Sequence, residues 1–202
     1  MDRKMPYRII IPVFLLALVW WGCQVDSPPP PETAQQLVDD GWAQYATANY
    51  QGARDLFNQA SALDGSVVDA YNGAGWSSAK LNDLSTAMES FGLGQVKDTS
   101  NLEIRAGIGI IENARKNYAF SDSSVLSVLS ENSSWVFSRD TSINSLDLHL
   151  LLAENFFAEA EYELSRDQVH LLDPSFPSAL DVTTVAGRTA LAMAIENLRA
   201  VI

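Results

Sequence analysis

The sequence predicts an all-α fold, a solenoid of antiparallel helix pairs closed by a C-terminal capping helix, and three observations predict it. The first is a spacing of 34: Gly41, Gly75 and Gly109 share one frame with Trp42, Trp76 and Ile110, with Ala53, Ala87 and Ser121, and with Phe57, Phe91 and Val125. The second is punctuation in the same frame, Asn49-Tyr50, Asp83-Leu84 and Asn117-Tyr118 at one turn and Asp64 and Asp98 at the next. Six coincidences in one register mark a repeated helix-turn-helix unit. The third is that each predicted helix carries an apolar stripe it cannot bury alone, so neighbouring units must stack.

Composition narrows the function classes. The chain has 202 residues, 47% of them hydrophobic, with 13 Lys+Arg against 25 Asp+Glu and a formal net charge of −12. That hydrophobic content suits a globular domain rather than a disordered chain. The acid excess argues against nucleic acid, which needs clustered Lys and Arg. One cysteine, Cys23, excludes an intrachain disulfide.

The N-terminus reads as an address. Arg3, Lys4 and Arg8 precede an apolar run from Ile9 to Trp21, which ends at Gly22-Cys23. A charged start, a short apolar core and a small residue at the cut make a secretory signal over residues 1–22. The apolar run falls short of the roughly 20 residues that span a bilayer, and Pro12 weakens it further. The competing reading is a short, uncut membrane anchor. Cleavage would leave 10 basic and 24 acidic residues, so charge alone would not hold the body to an anionic membrane. Trp20-Trp21-Gly22-Cys23 resembles the lipobox of bacterial lipoproteins, matching at Gly22 and Cys23 and departing at Trp20 and Trp21. The resemblance implies that Cys23 is acylated and becomes the new N-terminus, giving an anchor stronger than a single acyl chain. In that family Asp after the cysteine favours inner-membrane retention; Gln24 stands here, which implies the outer membrane, facing the periplasm. Residues 23–33 then read as a tether, because Pro28-Pro29-Pro30-Pro31 holds polyproline II as a semi-rigid spacer. A proline-motif ligand is the alternative use of that run.

The body, residues 34–202, divides into units near 34–67, 68–101, 102–131 and 143–174, with a cap over 179–201. Glycine midway along each first helix lets the second helix approach, as do Ala53, Ala87 and Ser121 from the other side. Phe57 and Phe91 fill the space between helices, and the Asn and Asp of the turns cap the helix that follows. In the third unit the first helix runs through Arg115 and the second, around Ser123 to Ser130, diverges. Residues Asn132 to Asn144 break the frame and read as a loop, pinned to the body by Trp135, Val136 and Phe137 because exposed aromatics are unfavourable. Helical periodicity returns from Ser145 to Tyr162 and continues to Leu172, before Asp173-Pro174, as a fourth, off-register pair. The cap places Val182, Val185, Ala186, Ala190, Met193 and Leu198 on its apolar face.

These features together resemble the tetratricopeptide repeat (TPR). The clearest copy reads Leu37, Gly41, Asn49-Tyr50, Ala53, Phe57, Ala60 and Leu63-Asp64; the second keeps Tyr71, Gly75, Ala87 and Phe91 but has Gly94 where alanine is usual. Asp40 at an apolar place, and Gln44 and Ser78 in place of tyrosine, are departures. The resemblance implies a concave groove lined by the first helix of each pair, which in that family binds extended peptides or helices. Carried over residue by residue, the partner-binding positions are Trp42, Tyr45, Asn72, Trp76, Lys80, Glu103 and Asn113, with Val38, Asp69, Ala106 and Ile110 beside them. The family's carboxylate clamp needs Lys, Asn and Arg; Val38, Trp42, Gly73, Glu103 and Gly107 occupy those places, which argues against that ligand class. Trp42 and Trp76 side by side form an aromatic strip of the kind that anchors partners; the alternative is that loop or linker residues cover both.

Little else points to chemistry. His149 and His170 lack a second ligand at helical spacing, so no metal and no cofactor are expected. No phosphate-cradling glycine loop and no nucleophile elbow is present. Glu154, Glu159, Glu161 and Glu163 form an acidic cluster, with Glu159 and Glu163 four apart on one predicted helix face; a solvated face gives the same pattern. The sequence is therefore read as a non-enzymatic, membrane-anchored scaffold binding an unidentified envelope protein or peptide. The alternatives are a solute- or glycan-binding lipoprotein and, last, an envelope hydrolase.

Overall fold

The computed structural model describes residues 32–202. The signal segment 1–22, the lipidation site Cys23 and nearly all of the tether lie outside the described residues. Among those described are nine α-helices: α1 (Ala34–Ala46), α2 (Tyr50–Leu63), α3 (Val68–Lys80), α4 (Leu84–Lys97), α5 (Leu102–Ala114), α6 (Tyr118–Glu131), α7 (Ser145–Ala158), α8 (Tyr162–Leu172) and α9 (Val185–Arg199). Four antiparallel pairs stack in chain order, and α9 packs on α7 and α8. None of these helices is long and apolar enough to cross a membrane.

Local chemistry fixes the helix ends. Thr33, the last residue assigned to the tether, caps α1: its hydroxyl accepts from Gln36 N at 3.2 Å, and Gln36 Oε1 accepts from Thr33 N at 2.8 Å. Thr33→Ala is expected to lower stability by about 1 kcal/mol in a urea titration. Asn49 and Asp83 cap α2 and α4 through Gly52 N and Thr86 N. Asn117, expected to cap α6, makes no such bond; its amide donates to Glu112 Oε2 at 3.0 Å. The second helix of each pair ends on Asp64, Asp98, Asn132 or Asp173, whose side chain accepts from the N–H two residues on, at Ser66, Ser100, Ser134 and Ser175. Those serines hold the carboxyls of Asp64, Asp98 and Asp173 below their ordinary range.

Within each pair the chain turns through a left-handed residue: Ala48, Asn82, Lys116 and Ala160, with φ between 58 and 64°. Their spacing is 34, 34 and then 44, so the repeat continues into the fourth pair after a ten-residue insertion. Ser165 in α8 matches Ser121 in α6, and each serine hydroxyl donates to a carbonyl of the preceding helix, at Ala153 and Gly109. A small side chain is required there, and a hydroxyl is tolerated because it has a partner.

The core is a row of rings in glycine sockets. Phe57 and Phe91 are fully buried. A Cβ on Gly41 would stand 2.7 Å from Phe57 Cε1, and one on Gly73, in the next unit, would collide with the same ring. Gly75 and Gly107 grip Phe91 in the same way. Each phenylalanine thus welds its own pair to the following one, which couples neighbouring units.

Helix α9 buries Gly187, Leu191 and Ile195 against α7 and α8. This corrects the predicted apolar face: Val182 is buried, but Val185 and Met193 are 73% and 63% exposed. The outer side of α9 instead forms one wall of an open groove of about 660 Å³, with Leu172, Phe176, Met193 and Val201 among its lining.

Candidate protein-interaction groove

The first helices α1, α3 and α5 lie side by side on one face, and residues 132–144, the ten-residue insertion and its flanks, lie across it. This segment is not helical but folds through two tight turns, with Asp140 N donating to Phe137 O at 3.3 Å and Ile143 N to Asp140 O at 3.0 Å. It closes on itself through a bridge between Val136 and Asn144, with Phe137 N donating to Ile143 O at 2.9 Å and Ser145 N to Trp135 O at 2.7 Å. Trp135 and Phe137 are buried, as expected of pins, whereas Val136 is exposed.

Phe137 enters the aromatic strip. Its ring stacks on Trp76 at 4.3 Å and 21° and meets Trp42 edge-on at 6.1 Å and Tyr45 at 6.2 Å. Trp42 and Trp76 are consequently only 5% and 2% exposed, so the strip is covered by the chain's own loop. Polar contacts continue the fit. Ser138 N donates to Glu103 Oε1 at 3.1 Å, while Glu103 Oε2 accepts from Asn72 Nδ2 at 2.7 Å. Arg139 lies 4.8 Å over the Trp42 ring, and its Nη2 is 3.4 Å from Asp69 Oδ2, which also accepts from Trp42 Nε1 at 2.9 Å. Lys80 Nζ donates to Asp140 Oδ2 at 2.8 Å, and that bond, with one from Ser142, holds the Asp140 carboxyl below its ordinary range.

Six of the seven carried-over positions therefore converge on one occupied site: Trp42, Tyr45, Asn72, Trp76, Lys80 and Glu103. The seventh, Asn113, points elsewhere and donates to Asn155 Oδ1 at 2.6 Å. The occupant fits incompletely. Tyr45 Oη, Asn72 Oδ1 and Trp76 Nε1 are buried without a hydrogen-bond partner among the described residues, each an unfavourable term of about 1–3 kcal/mol. Burial, then the Asp140 carboxylate, pushes the Tyr45 phenol well above its ordinary pKa, so it stays a donor lacking an acceptor.

A second polar cluster joins the third and fourth pairs. Asn155, fully buried, donates through Nδ2 to Ser121 Oγ at 2.9 Å and to Asp122 Oδ1 at 2.7 Å while accepting from Asn113. Burial pushes the Asp122 carboxyl up to about 6; the Asn155 bond opposes this and the neighbouring Glu159 carboxyl adds to it. Neither Asp122 nor Asn155 stood out in the sequence, since a polar residue inside a helical stripe reads as solvent-facing.

The structure separates the remaining acidic candidates. Glu159 follows the end of α7 and Glu163 lies in the first turn of α8, so they do not share a helix face, and Glu154 pairs with Arg199 at 2.8 Å. His149 Nδ1 meets Gln168 Oε1 at 2.8 Å, and His170 Nδ1–H donates to Phe176 O at 2.7 Å. No group of three metal-ligating side chains occurs among the described residues.

No protein-family model matches the sequence, and no curated protein matches it. Solved structures do. MamA aligns with a TM-score of 0.64 at 14% identity over 84% of this chain and 91% of its own. YrrB, described as a TPR protein with an unusual peptide-binding site, gives 0.64 at 12% over 83% and 87%. A tetratricopeptide repeat protein from Parabacteroides merdae gives 0.61 at 15% over 86% and 64%. At these identities the likeness is one of fold: the chain is an all-α solenoid of the TPR type.

Proposed function

We propose that this chain is a lipid-anchored, extracytoplasmic scaffold that binds an envelope protein through its helical solenoid, and we assign it no catalytic step. The observation that carries the binding half is the seating of residues 137–140: a turn of polypeptide is held by side chains from α1, α3 and α5 at once. A surface that grips a peptide backbone and an aromatic anchor in this way has the layout of a peptide-recognition groove. The anchored half rests on the residues around Cys23: a basic start, a short apolar run, Gly22-Cys23 and a proline-rich spacer.

Intact mass of the protein from a membrane fraction, wild type beside Cys23→Ala, tests the anchor. The expected wild-type mass lacks residues 1–22 and carries acyl chains, and the variant loses both features. A full-length, unacylated wild-type chain would contradict the anchored reading.

A further inference from the structure

Resting on the scaffold reading, the geometry points to a specific ligand class: we propose that this face of α1, α3 and α5 binds a turn of a partner peptide in which an aromatic residue is followed, after one residue, by an arginine and an acid, and that this peptide displaces the chain's own segment 136–143.

The segment in place serves as the template. Phe137 occupies the slot between Trp42 and Trp76, Arg139 reaches Asp69 and the face of Trp42, and Asp140 reaches Lys80. The charges of the groove are thus complementary to an arginine beside an acid, because Asp69 and Lys80 meet successive residues of the occupant. Ser138 adds a backbone N–H to Glu103 and asks nothing of its side chain, which leaves that position free.

Two further observations make the occupant replaceable. It leaves Tyr45 Oη, Asn72 Oδ1 and Trp76 Nε1 buried and unpartnered, and a cavity of about 250 Å³ opens at its edge beside Tyr45, Tyr50, Arg139 and Asp140. A peptide that supplies an acceptor to the Tyr45 phenol or the Trp76 indole gains contacts the tethered segment does not make. The segment is also an insertion between complete helix pairs, closed by its own bridge, so it can lift without unwinding α6 or α7. Tethering gives it a high effective concentration, so it weakens an incoming peptide by the fraction of time the groove is shut.

The probe is a fluorescently labelled synthetic peptide copying residues 134–143, titrated by anisotropy against the full chain. Arg139→Glu sets a carboxylate against Asp69 and removes the contact with Trp42, unseating the segment by an exposed side chain; Phe137→Ala is the second opened variant. The expected result is binding at least tenfold tighter to the Arg139→Glu protein than to wild type, lost when the phenylalanine of the peptide is alanine. Failure of both variants to bind while their helical circular dichroism matches wild type overturns the proposal. So does indifference to the phenylalanine, or unfolding of both variants, which would make the segment an inseparable part of the core. The acylation of Cys23 is read independently by mass, so a failed titration leaves the anchored scaffold standing with its partner on another surface.

Discussion

Replacing Phe57 or Phe91 by alanine is expected to lower the unfolding free energy by about 3–5 kcal/mol. Each ring is buried in contact with glycines of two successive units, so its removal empties a joint rather than one helix pair. The socket can be tested from its other side. Gly73→Ala brings a Cβ into collision with the edge of the Phe57 ring and costs about 1–3 kcal/mol of overpacking, against a gain of about 1 kcal/mol in helix propensity. In wild type the net change is a loss. In a Phe57→Leu background the clash is relieved and the same substitution becomes neutral or stabilising. Chemical denaturation of the four proteins checks the cycle, and additive losses would mean that ring and glycine are not in hard contact.

Asn155→Leu is expected to cost about 2–3 kcal/mol at pH 7.5, because Asp122, Ser121 and Asn113 all lose their buried partner. The loss shrinks at pH 5, and the direction follows from Asp122. With its folded pKa near 6 and an ordinary unfolded value, the native state keeps a proton that the unfolded chain has released between about pH 4 and 6. This group therefore favours folding at low pH, and its contribution is lost as pH rises through about 6. Asp122→Asn removes that slope and adds about 1–2 kcal/mol at pH 7.5, keeping an acceptor for Asn155. The carboxyls held low by serines, Lys80 and Arg105, among them Asp64, Asp98, Asp140 and Glu131, act in the opposite sense but below the ordinary carboxylate range. Between pH 5 and 7.5 Asp122 dominates. Thermal melts of both variants and wild type across that range check the account; parallel profiles for wild type and Asp122→Asn would contradict it.

The solenoid was legible because its determinants recur. A glycine, a small residue and a ring at fixed offsets specify one helix pair, and repetition multiplies the signal. Departures from the frame were read less well, each for a physical reason. Ala48 and Ala160 sit at left-handed turn positions with none of the residues that usually announce them, so the sequence indicates a fourth pair without locating its turn, and Glu159 and Glu163, expected on one face, fall on either side of it. The face of α9 depends on how residues 173–184 deliver it to the stack, which no periodicity within α9 encodes. The groove shows both outcomes together. Its wall was found by position within the repeat, and Phe137 was recognised as a pin, yet the meeting of Phe137 with Trp42 and Trp76 is a contact across 95 and 61 residues. Nothing local to any of the three residues records it.

Native-state hydrogen exchange, read residue by residue on the full chain, tests most directly whether residues 136–143 are a separable occupant of the groove. The account predicts that the amides of Phe137 and Ser138, bonded to Ile143 and Glu103, exchange through a local opening well below the global unfolding free energy and insensitive to denaturant, while the amides of α3 and α5 exchange only on global unfolding. Exchange of Phe137 and Ser138 together with α3 and α5, at the global free energy, would contradict it and make the segment a fixed part of the core.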